Sequence, residues 1–91
     1  MEKKVFDIPI YGEIALIKRR SITGDIEVVW ELDMADIGTA SFGVGLHNCA
    51  GGEALADKMM NAADDDDAKD AANMLLELTL ESMENKQNDA A

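Results

Sequence analysis

His47 and Cys49 are the residues best suited to nucleophilic chemistry in this chain, and each is the one residue of its type. They sit two apart, ahead of a helical stretch, and a helix N-terminus lowers a thiol pKa. In an extended segment residues i and i+2 point the same way. Yet the sequence supplies neither an oriented acid nor an oxyanion donor beside them, and no second histidine completes a metal site of ordinary spacing. A structural cysteine in a non-enzymatic chain is therefore expected, with no cofactor and no metal. The many carboxylates do not change this. A surface carboxylate without burial or a facing partner is no acid catalyst.

Three other runs invite a sharper chemistry and fail on spacing. Asp64-Asp65-Asp66-Asp67 suggests a calcium loop, but a loop begun at Asp66 places Ala68 at its third position and Ala71 where the glycine belongs. Gly43-Val44-Gly45-Leu46-His47-Asn48 lacks the third glycine of a dinucleotide fingerprint, and the chain has no Gly-Lys-Ser/Thr. Lys18-Arg19-Arg20, the sole basic cluster, is too small for a nucleic-acid site against this background, so ion pairing within the fold is expected.

The stretch from Asp64 to Lys86 carries more information. Wound at about 100° per residue, it places Asp70, Asn73, Glu77, Glu81 and Glu84 on one stripe. Ala68, Ala71, Ala72, Leu75, Leu76, Leu78 and Met83 spread over the rest. Aspartates favour the positive pole of a helix, so two helices meet near Asp64–Asp66 rather than forming one rod. Asp67 suits the N-cap, with Asp70 at capping-box spacing. Asp66, Asp67, Asp70, Glu77, Glu81 and Glu84 are thus the candidate partner-binding residues. An ordinary surface helix buries a stripe about 100° wide, and the apolar arc here approaches twice that. Met74, Leu76 and Leu80 lie toward its edges. With Met83 they are a candidate oligomer interface; the alternative is that they pack on the preceding helix.

The formal charge is −11. Residues 1–48 carry five basic and eight acidic groups (−3), and residues 49–91 carry three and eleven (−8). This sign disfavours direct binding to nucleic acid or an anionic membrane and favours a basic protein partner; the bland alternative is solubility. Hydrophobic content of 47% marks a globular protein rather than an acidic disordered tail. Ninety-one residues make one domain, 1–91. Six methionines fill core space that the four aromatic residues leave. One cysteine forms no intramolecular disulfide, and Met1-Glu2-Lys3-Lys4 before a run broken by Asp7 and Pro9 does not read as a signal peptide. No stretch reaches the length of a membrane span. A reducing cytoplasm is the expected setting.

The elements that position these residues follow from periodicity. Val5 to Tyr11 alternates as a strand, with Pro9 marking an edge or bulge, and Glu13 to Lys18 is either a second strand or, the favoured reading, the far half of one long bent element. Gly24-Asp25 is the expected tip of a hairpin. Ile26, Val28, Trp30 and Leu32 then alternate with Glu27, Val29, Glu31 and Asp33. Thr39 to His47 follows, and its Gly43 and Gly45 share a face on which a helix could lie closely. Gly51-Gly52 separates the sheet from a helix over Glu53 to Ala63, and 87–91 is a frayed tail. The fold expected is α+β. A three- to four-stranded antiparallel sheet, 4–47, is followed by an αα-hairpin, 52–86, packed on one face.

The Asp64–Asp67 run and the Asp70, Glu77, Glu81, Glu84 stripe resemble, at the level of type, small acidic phage-encoded inhibitors of the anti-CRISPR and anti-restriction kind. That resemblance implies a non-enzymatic inhibitor of a basic, nucleic-acid-binding protein or complex. The alternative is a structural or assembly module that forms a homodimer or larger homo-oligomer through its last helix.

Overall fold

Alternation decides which face of each strand is covered. The structure, a computed structural model, describes residues 1–34 and 38–90, with side chains through Ser82. Four strands, β1 (Glu2–Ile8), β2 (Gly12–Arg20), β3 (Ile26–Met34) and β4 (Gly38–Leu46), form an antiparallel sheet in the order β1-β2-β3-β4. Two helices, α1 (Ala50–Ala62) and α2 (Asp65–Ala90), follow. Both rest on the sheet rather than chiefly on each other. The α+β arrangement read from the sequence is present, with four strands.

One sheet face supplies Phe6, Ile8, Ile14, Leu16, Ile26, Val28 and Leu32 to the core; the helices answer with Ala56, Met60, Ala63, Ala68, Ala71, Ala72 and Leu75. Burying each large aliphatic side chain here contributes about 1.5–3 kcal/mol. The buried alanines of α2 bring its axis close to the strands. Across the sheet Leu16 faces Trp30 and Trp30 faces Phe42, and the Phe6 and Trp30 rings lie 5.7 Å apart. Lys4 Nζ donates to the Ala63 carbonyl at 2.6 Å and the Met60 carbonyl at 3.3 Å, placing a cation at the C-terminal end of α1.

The structure departs from the sequence expectations at five places. The long bent element is instead a hairpin: β1 pairs β2 from Glu2↔Lys18 to Ile8↔Gly12. The chain reverses through Ile10 and Gly12, whose φ angles are 80° and 83°. Gly51 and Gly52 do not separate sheet from helix but lie within the first turns of α1. Cys49 is the N-cap, and a Cβ on Gly52 would strike the His47 carbonyl oxygen. The capping box is Asp64 with Asp67, three residues earlier than Asp67 with Asp70. Asp67 N–H donates to Asp64 Oδ1 at 2.9 Å, and Asp64 N–H to Asp67 Oδ2 at 3.2 Å. Gly43 and Gly45 pair with Val29 and Glu27, on the face away from the helices. What presses on Gly43 is β3 itself, since a Cβ there would sit 2.8 Å from Val29 Cα. Finally, α2 runs past Lys86 to Ala90, over part of the expected tail.

Candidate protein-binding surface

The ridge carboxylates lie where the 3.6-residue period puts them. Asp66, Asp67, Asp70, Glu77 and Glu81 are all exposed, over a rise of about 22 Å from Asp66 to Glu81 at 1.5 Å per residue. Among the described residues the ion pairs are Lys18–Glu53, Lys18–Asp57 and Arg19–Glu27, so none engages the ridge. Asp67 also serves in the cap. Asn73 is different in role: it accepts a hydrogen bond from the Tyr11 hydroxyl and ties the α2 surface to the β1–β2 turn. Glu84 and Met83 lie outside the residues whose side chains are described.

Two residues of the basic cluster are ion-paired within the fold, and the third, Arg20, donates to the Gly24 carbonyl at 3.4 Å. Lys18 is at the end of β2, its side chain 11% exposed, with Nζ 2.5 Å from Glu53 and 2.6 Å from Asp57 on α1. Hydrogen bonds to Asp57 and then Glu53 outweigh the cost of burial and hold the Lys18 pKa well above the ordinary lysine value. Arg19 pairs with Glu27 across the hairpin at 3.0 Å.

The apolar candidates divide. Met74 and Leu80 are about half exposed, whereas Leu76 is partly buried. Leu78, one turn beyond Met74, is as exposed as Leu80, although its place on the apolar arc suggested cover. Leu75 is the last buried residue of α2 through Ser82; beyond it Leu76 and Thr79 are only partly covered and the others are exposed. Period alone could not reveal this, because it shows which stripe is apolar and not where the sheet beneath it ends.

Cys49 and His47 are exposed. The thiol sulfur accepts from the Gly52 N–H at 3.4 Å, and the His47 carbonyl accepts from the Cys49 N–H at 2.9 Å. The cysteine therefore has a capping role. Among the described residues no group of three or more His, Cys, Asp or Glu side chains could hold a metal ion. No described helix is long and apolar enough to cross a membrane. No protein-family model matches this chain, and neither a curated protein nor a solved structure matches it.

Proposed function

We propose that this chain is a non-enzymatic acidic inhibitor that binds a basic, nucleic-acid-binding target through the ridge of α2. The observation that carries the reading is a row of exposed carboxylates, none of which is ion-paired among the described residues. Lys18 and Arg19 are paired with other carboxylates and Lys4 is turned onto the α1 carbonyls, while Lys69, on α2 beside Asp70, forms no ion pair among the described residues. A free row of this kind offers itself to Lys and Arg side chains that otherwise hold phosphates. The surrounding charge of −11 steers a basic partner inward and makes association fast and salt-sensitive. The setting would be a reducing cytoplasm, and the type-level likeness to phage-encoded inhibitors fits the same reading.

The test begins with capture from host lysate and identification of the bound protein. Affinity is then compared between the wild type and Asp70→Asn/Glu77→Gln/Glu81→Gln. Amides keep side-chain size, and these positions face water, so folding should hold. The expected outcome is a binding loss of tenfold or more and a flatter salt dependence. Unchanged affinity at low salt, with the variant folded, would remove the ridge from the mechanism. The half-exposed Met74 and Leu80 favour a second reading, an assembly module that associates through α2.

A further inference from the structure

We infer that β4 is a dimerisation edge, along which two copies of this chain pair antiparallel and join their sheets into one. Both outer strands of the sheet have an unpaired side, and proteins normally guard such edges with charge, proline or a bulge. β1 is guarded: it carries Glu2, Lys3, Lys4 and Asp7 and runs into Pro9. β4 is not. From Gly38 to Leu46 it has nine residues with no charge and no proline.

A second observation lies on the same side of the molecule. Phe42 of β4 lines a groove with Trp30, Met59 and Met74. Leu55 precedes Met59 by one turn on the same flank of α1, and Leu78 follows Met74 by one turn on α2. Val44, Leu55, Met74 and Leu78 are each about half exposed. The β4 side is therefore apolar in the helix layer as well as in the sheet layer.

This two-layer character selects the occupant. An added peptide strand would cover the β4 edge and leave the helix flank wet. A second copy related by a two-fold axis perpendicular to the sheet pairs antiparallel, as the symmetry requires. It also keeps its own helices on the same face, so that flank meets flank. Nine residues at about 3.3 Å make an edge of about 30 Å. A sheet layer and a helix layer of about 10 Å each give roughly 600 Å² per copy, or about 1,200 Å² in total. That reaches the lower bound of stable interfaces, which the strand edge alone would miss. An uncharged β4 also sets no like charges opposite each other within the new strand pair.

Asp67 and Asp70 line the same groove, and each copy carries −11. Repulsion between copies therefore opposes pairing at low salt. The dimer should tighten as salt rises, the reverse of binding to a basic target, so the two readings succeed or fail separately.

Sedimentation of the full chain over a concentration series at low and high salt tests this. The expected result is a monomer–dimer equilibrium that strengthens at least several-fold with salt. Ser41→Glu/Val44→Glu, which puts a carboxylate on each face of the unguarded edge strand, should weaken it tenfold or more. Leu80→Ser, about 240° round α2 from Met74, should leave it unchanged. Hydrogen exchange on the wild type needs no variant: β4 amides should gain protection as concentration rises, and β1 amides should not. A monomer at high concentration and high salt would overturn the proposal. So would a dimer abolished by Leu80→Ser but not by the β4 pair, or β4 protection that appears only on adding a foreign protein.

Discussion

Leu75→Ala and Leu80→Ala make the same chemical deletion on one helix in opposite surroundings. Leu75 is 2% exposed, beneath α2 and against the sheet; Leu80 is 51% exposed. At Leu75 the lost side-chain carbons remove about 2–2.5 kcal/mol of transfer energy at 0.8 kcal/mol per buried CH₂. The cavity left among Ala71, Ala72 and the strands raises the cost to about 3–5 kcal/mol. At Leu80 half of that area is already in water, no cavity forms, and alanine's better helix propensity returns a few tenths. The cost there should stay below about 1 kcal/mol. A domain of this size holds about 5–14 kcal/mol in all. Leu75→Ala should therefore lower Tm by about 10–40 °C and Leu80→Ala by less than about 8 °C. Thermal melts followed by circular dichroism at one dilute concentration measure both. Equal losses at the two sites would mean that α2 stays packed beyond Leu75, and the account of an open distal helix would fall.

Ile10 holds a left-handed φ of 80° while fully exposed, so Ile10→Asn should relieve strain and stabilise by about 0.5–1 kcal/mol, read as a higher urea midpoint. Gly52→Ala drives a Cβ into the His47 carbonyl and should cost about 1–3 kcal/mol in the same assay. Lys18 loses its proton at higher pH in the folded chain than in the unfolded one. Its contribution is thus complete below the unfolded lysine pKa of about 10.4 and is lost as pH climbs through the folded value. Denaturant melts should show a decline above about pH 10.4 that is reduced in Lys18→Met.

The strand at Ile26–Leu32 was legible because its alternation is broken only at Val29 and its partners on both sides are strands. The acidic ridge was legible for the same reason of period. The Ile10 turn was not, since a β-branched residue with positive φ is the last choice that turn chemistry suggests. Gly51-Gly52 reads as punctuation, and its place inside α1 follows from one close approach to His47 that a sequence does not display. Gly43 and Gly45 were assigned a face correctly and a neighbour wrongly. A period of two separates the two faces of a strand but does not say which one a helix covers. The exposure of Leu78 depends on where the sheet ends beneath α2, a tertiary fact without a local signature.

The strand order β1-β2-β3-β4 also bears on how the chain is made. Neighbours in space are neighbours in sequence, with three residues between β1 and β2 and five between β2 and β3. Each pairing therefore closes a short loop at small entropic cost, and the sheet can zip from its N-terminal end while the ribosome is still adding the helices. The contacts of α1 and α2 with the strands are long-range and form only after the sheet residues have been made. Until α1 and α2 emerge, Ile14, Ile26, Val28 and Leu32 face water on a nascent sheet whose final strand has a bare edge. A pause between β4 and α2 is thus the interval in which this protein is most open to aggregation, and synthesis speed through residues 47–75 sets how long it lasts.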